Sequence, residues 1–258
     1  MTSTARLNLL FARVRGRLLR AVMGDQAWIG RAACLGADVF KLHAQDHPRA
    51  LLINQQKVRI DMLAQWLAGS PRPRAAAVRE HLHRADVLPL IEQQEQLPWL
   101  SLTARPAGIL MDSFAELTDQ QFVHRQEGWS FCCHYSDLGH SAAFESRFEC
   151  RGLMPVERFL PSYREFFRWV QRQWPGLPVV YLHFPTALDG REVFHQRGQA
   201  LIQTLDAIAR EMPFVRPVAI PDEQVTRHEG GDDFAYHYGA ATYQSFLREW
   251  RRLDGPRP

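Results

Sequence analysis

Pro178 to Phe184 reads PVVYLHF, and Pro185-Thr186 ends it. A run this apolar, β-branched and aromatic, bounded by prolines, predicts a buried strand. Just before it, Val156 to Trp174 carries Phe159, Tyr163, Phe166, Phe167 and Val170 at three- and four-residue spacing and stops at Pro175-Gly176. That is a helix with one apolar stripe. Just after it, Arg191 to Met212 repeats the pattern with Val193, Phe194, Leu201, Leu205 and Ile208. Val215 to Ile220 (VRPVAI) then reads as another strand, closed by Pro221. Strands alternating with long helices are the signature of a parallel sheet.

The pattern extends outward. Ala107 to Met111 (AGILM) follows the breaker Arg105-Pro106 and ends in Asp112-Ser113. Ala240 to Leu253 predicts a last helix with Tyr243, Phe246, Leu247 and Trp250 inward. Ala27 to Ala33 and Ala50 to Asn54 are further strand candidates, and Ser70 to Arg74 (SPRPR) reads as a surface loop. The expected fold is α/β: a three-layer parallel sheet flanked by helices, with flavodoxin-like layering. No repeat, low-complexity tract or linker stands out, so residues 25–258 are expected to form one domain.

The 258 residues are 46% hydrophobic and 23% charged, which excludes a disordered or collagen-like chain. The net charge of +3 does not argue for nucleic acid. Lys41 and Lys57 are the only lysines, so 29 of the 31 basic residues are arginine. Five of those lie between Arg6 and Arg20 with no acid among them, while Leu7, Leu10, Phe11, Val14, Leu18 and Ala21 recur at helical spacing. Residues 1–24 are therefore expected as a basic amphipathic appendage. Its residues 1–22 either touch an anionic membrane surface or pack on the domain with their arginines in water. The arginines interrupt any secretory signal, and no run approaches the roughly 18 to 20 apolar residues of a membrane span. Cys34, Cys132, Cys133 and Cys150 make no disulfide framework in a chain this long. The expected location is the cytoplasm, peripheral at the inner membrane if the appendage docks there.

Ligands of open parallel sheets sit beyond the carboxyl ends of the strands. Those positions hold Cys34 to Asp38, then Asp112, Ser113 and Glu116, then Thr186 with His183 inside its strand, and last Asp232-Asp233 and His237. If helical, Asp233 and His237 share a face, and a carboxylate beside an imidazole suits a general base. The alternative is that Asp232 or Asp233 caps the last helix. Cys132, Cys133, His134, Asp137 and His140 cluster, but their spacing is not that of a zinc module. A polar, substrate-facing loop with Arg125, His134, Asp137 and His140 is the expectation there. GxxxxGK[ST], GxGxxG and HExxH do not occur. No cofactor and no metal are expected.

The stretches Ala32-Ala33-Cys34 to Asp38, Ile109 to Glu116 (ILMDSFAE), Leu182 to Thr186 (LHFPT) and Asp232 to Tyr238 (DDFAYHY) together resemble the SGNH (GDSL-type) hydrolase superfamily. More narrowly they are similar to bacterial SGNH-like proteins encoded with surface-polysaccharide genes. The resemblance spans roughly residues 27 to 250. It implies an acyl esterase or acyltransferase acting on a carbohydrate in polysaccharide biosynthesis, with an acylated saccharide as substrate and polysaccharide-assembly enzymes as partners. It also implies that His237, oriented by Asp233 or Asp232, activates a nucleophile. Backbone N–H groups near Cys34 to Gly36 would then form the oxyanion hole. The chain departs from the pattern. It has no Gly-Asp-Ser, Ala33 stands where the serine would, and Asp-x-x-His spacing would put the acid at Phe234. Three readings follow: Cys34 as nucleophile, Ser113 as nucleophile, or binding without catalysis. Asp38, Asp112, His134, Asp137, His140 and Thr186 are the expected substrate contacts. Rival functions are a catalytically inactive carbohydrate-binding or scaffolding subunit and a glycosyltransferase-like enzyme.

Overall fold

The computed structural model describes residues 27–98, 105–230 and 234–254. The expected appendage, residues 1–24, lies outside them. Five parallel strands form the main sheet: β1 (Ala27–Arg31), β2 (Leu51–Asn54), β3 (Gly108–Asp112), β7 (Val179–Leu182) and β8 (Val215–Val218). Their order is β2-β1-β3-β7-β8. The central strands β3 and β7 are buried along their whole length, whereas the edge strand β2 is half-buried. This is why the apolar runs AGILM and PVVYLHF are continuous: a strand covered on both faces has no wet side to alternate with.

Helices cover both faces. α1 (Cys34–Asp46) and α9 (Ala240–Asp254) pack together on one. There Trp28 of β1 meets Phe40 and Trp250 edge-on. On the other face α2 (Ile60–Leu67) packs on α7 (Phe159–Gln173), and α7 on α8 (Glu192–Glu211). Successive side chains of a strand point to opposite faces, so Arg31 points away from Trp28 and enters this second layer. Gly108 lets β3 lie close to β1, because a Cβ there would sit 2.5 Å from the Trp28 ring.

One element departs from expectation. The segment anticipated as a polar loop is a three-stranded antiparallel sheet of order β5-β4-β6, built from β4 (Asp119–His124), β5 (Ser130–His134) and β6 (Phe148–Leu153). It has its own core of Phe122, Trp129, Phe131, Cys133, Phe144 and Phe148, closed by α3 (Ala75–Val78), α4 (Leu88–Gln96) and α6 (Ala142–Arg147). The adjacent cysteines are the residues of one strand that serve two cores: Cys132 faces the main core and Cys133 the smaller one. Gln94 ties the two together. Its amide nitrogen donates to the carbonyls of Lys57 and Cys132, and its amide oxygen accepts from Cys132 N. All four cysteines are free. Among the described residues, no helix is long and apolar enough to cross a membrane.

Candidate functional site

The chain leaves β1 toward β2 on one side and returns to β3 on the other. A crevice opens beyond the carboxyl ends of β1 and β3 at such a reversal. Here it is a narrow cleft lined by Arg31, Gln55, Lys57, Asp112 and Phe114, with the Ala32-Ala33 turn as one wall. A larger open groove of about 460 Å³ lies at the opposite, amino edge beside Trp28, His43 and His47. Its inner histidine is part of the ring packing, stacked on Trp250 at 4.3 Å, and burial pushes His43 down to about 4. Asp46 and Arg49 line that groove too, and a second set of polar groups converges at the carboxyl edge.

Asp112 ends β3 and is 2% exposed. Its Oδ2 accepts from Ala33 N (2.6 Å) and Gly36 N (3.2 Å), and its Oδ1 from Phe114 N. Ala33 N and Gly36 N are donors at the start of α1, which an N-terminal anion satisfies. Burial pushes the Asp112 carboxyl up to about 7, against Arg31 and these three donors. The oxyanion hole expected near Cys34 to Gly36 is thus corrected in part: the Gly36 N–H already holds the protein's own carboxyl.

Cys34 is half-buried at the first position of α1. Its thiol donates to the Tyr236 carbonyl at 3.7 Å, 202 residues along the chain. The structure therefore brings the β1 turn and the segment containing His237 together, as expected. Burial, helped by Asp112, pushes the Cys34 thiol up to about 12. The segment itself is not helical, because α9 starts at Ala240. The one-face relation expected of Asp233 and His237 involves Asp233, which lies outside the described residues. A turn closed by His237 N on the Phe234 carbonyl leads instead into an antiparallel bridge between Tyr238 and Arg227. His237 is half-buried against Phe234, at 4.8 Å. Asp232 and Asp233 lie outside the described residues.

Ser113 is buried, and its Oγ accepts from Phe184 N at 2.8 Å, tying β3 to the end of β7. Asp38 sits on α1 and pairs with Lys41, three residues on. Thr186 lies in the loop after β7 with its hydroxyl 3.0 Å from His195 Nδ1. The other three candidates, His134, Asp137 and His140, lie at and just after the end of β5. His134 caps a short turn by accepting from Ser136 N, and His140 stacks on Tyr135 at 3.7 Å. Asp137 is buried and accepts from His134 N, but its Oδ2 also pairs with Lys57 Nζ at 2.8 Å. Lys57 lines the cleft, so Asp137 reaches the site through it. Among the described residues no group of three or more His, Cys, Asp or Glu could hold a metal ion.

Sequence reading missed Lys57, Gln55 and the Arg31–Glu116 pair, since single polar residues near strand ends carry no spacing signal. The hairpin had one: Val123-His124 and Ser130-Phe131 flank a short turn containing Gly128, whose φ is 72°.

Fold and site define an open parallel α/β protein whose polar groups gather at the carboxyl edge of the sheet. No family model matches the chain, and no curated protein matches it. Among solved structures, an acetyl xylan esterase from the rumen bacterium Butyrivibrio proteoclasticus is similar, with TM-score 0.41 and 9% identity over 88% of this chain. The chain spans 61% of that protein's length.

A thiol held this far up has almost no thiolate at neutral pH, and the thiolate is the reactive form. We expect iodoacetamide at about pH 8 to label exposed Cys150 at least about 10²-fold faster than Cys34. Equal labelling in a peptide map would show that Cys34 is not held as described.

Proposed function

We propose that the carboxyl edge binds an acylated carbohydrate, and that the β1–α1 turn is a wall of this site rather than its nucleophile. The observation that carries the reading is the Asp112 carboxyl on Ala33 N and Gly36 N. It occupies donors that an acyl oxyanion would need. What remains on the edge suits a sugar. Phe114 lines the cleft, and Phe114, Phe234 and Tyr236 form contiguous rings, with Phe234 44% exposed. The cleft itself holds only about 10 Å³, so the sugar would rest on the exposed rings at its mouth, with Lys57 and Gln55 as the polar groups beneath. The SGNH resemblance supplies the acyl group and the setting in polysaccharide biosynthesis. Contact of residues 1–22 with the inner membrane and association with assembly enzymes belong to the same proposal.

Calorimetric titration with acetylated oligosaccharides tests it. Binding is expected to survive Cys34→Ala and to weaken about tenfold in Phe234→Ala, roughly the loss of one ring contact of about 1.4 kcal/mol. Failure to bind, or binding indifferent to Phe234, overturns the reading.

A further inference from the structure

The loop after β7 carries a hydroxyl–imidazole pair outside the expected triad. Thr186 Oγ1 lies 3.0 Å from His195 Nδ1, and His195 Nε2 lies 2.7 Å from the carbonyl oxygen of Asp189. A carbonyl oxygen can only accept, so Nε2 carries a proton. In the neutral imidazole Nδ1 is then the acceptor, and Thr186 must be the donor. The hydroxyl proton is thus aimed at a base whose tautomer is set by a third group. This is the general logic of an activated hydroxyl nucleophile.

The surroundings hold the pair in place. Asp189 is 4% exposed, and its carboxylate accepts from Arg191 N, Nε and Nη2 at 2.9, 2.8 and 2.7 Å. That fixes the loop and with it the carbonyl that orients His195. Gly198 faces Thr186 from α8: a Cβ there would sit 3.2 Å from Thr186 Cγ2. The glycine leaves the threonine its room. Both Thr186 and His195 are half-buried, so a ligand can reach them. The loop is bound to the crevice, since the Tyr238 hydroxyl donates to the Pro185 carbonyl at 2.8 Å and Phe184 N to Ser113 Oγ.

We propose that Thr186 Oγ1 is an acyl-accepting nucleophile with His195 as its general base, acting on acyl esters bound at this edge. This rests on the carbohydrate reading only for the natural ester; the reactive pair is defined by its own geometry. Oγ1 attacks the ester carbonyl carbon and its proton passes to His195 Nδ1. The ester C–O bond then breaks, and the leaving alkoxide takes that proton. Water, deprotonated by the same imidazole, attacks the acyl-threonine, releases the carboxylic acid and restores the hydroxyl.

The test uses the full chain with p-nitrophenyl acetate as probe. Nitrophenolate release is followed, and an acid quench is mapped by mass spectrometry. The expected result is one acetyl group on the peptide containing Thr186. Release should fall at least about 10²-fold in Thr186→Val and in His195→Gln, and persist in Thr186→Ser. Thermal melts of each variant verify folding, and binding of acetylated oligosaccharides to the parent chain is titrated beside the rate. That separates failure of the nucleophile from failure of the binding site. An adduct on Cys34 or elsewhere, no adduct, or an unchanged rate in folded Thr186→Val overturns the proposal.

Discussion

Glu116→Gln is expected to destabilise the protein by about 3–5 kcal/mol. Arg31 and Glu116 are 2% and 0% exposed at their side chains and form a two-pronged pair at 2.8 and 2.9 Å. Arg31 also donates to the carbonyls of Val58 and Asp112 and to the Tyr163 hydroxyl, which shares a 2.5 Å hydrogen bond with Tyr181. Glu116 accepts from Ile60 N, and its own carbonyl accepts from Arg197. The network therefore joins β1, α2, α7, α8 and the short helix α5 (Phe114–Thr118) beneath the site. Burial disfavours the charge on Arg31, and Glu116 more than restores it, so its pKa lies above the usual range. Removing the carboxylate leaves the buried guanidinium charge without its paired carboxylate. Total stabilities are typically about 5–15 kcal/mol, so a large part would be lost. Urea denaturation reads this directly. The double variant Arg31→Met/Glu116→Leu should lose far less than the single one, because no charge is then stranded. A single variant within about 0.5 kcal/mol of the parent would show that the pair is not carrying buried charge.

That network also marks what sequence alone could and could not tell. The central strands and the three long helices were legible, because a strand buried on both faces and a helix with one apolar stripe each impose a period on the chain. Val156 to Trp174 and Arg191 to Met212 stand within a few residues of α7 and α8. The antiparallel sheet was not legible. Its strand β5 reads SFCCH and is buried on both faces between two cores, so it shows neither alternation nor a long apolar run. The carboxyl edge of the sheet was legible as a place. The carboxyl-edge rule put Cys34, Asp112, Ser113 and Thr186 in priority, and the structure gathers them with the Tyr236 segment. What each does there depends on partners 9 to 202 residues away. His195, Asp189 and Lys57 acquire their meaning only from that three-dimensional pairing.

Asp112→Asn is expected to cost stability at about pH 4 and roughly 4 kcal/mol less at about pH 8. In the fold the Asp112 carboxyl titrates near 7 rather than 3.8, chiefly because burial penalises its charge. Between about pH 4 and pH 7 the native state therefore holds a proton that the unfolded chain has released. Its contribution is intact below about pH 4 and is lost as the pH rises through 7. At about 1.4 kcal/mol per pH unit the loss is roughly 4 kcal/mol. Asp119, pushed up to about 6 by burial, has the same sign. The buried histidines oppose both. Burial pushes His183 down to about 3 and His43 to about 4, so native stability from them grows as the pH rises toward 6.5. A buried charge of either sign is costly, so the acids and the histidines pull the parent's pH dependence in opposite directions. The difference between parent and variant removes the histidines and Asp119 and isolates Asp112. An amide oxygen can still accept from Ala33 N and Gly36 N, while the amide nitrogen faces the Phe114 donor. The variant should thus be the less stable protein at about pH 4. Its deficit should shrink, or reverse, by roughly 4 kcal/mol at about pH 8. Paired urea titrations across that range measure it. A difference that stays constant, or grows with pH, would mean that Asp112 is ionised in the fold throughout. The carboxyl on Ala33 N and Gly36 N would then be a permanent anion rather than a group that takes up a proton near neutrality.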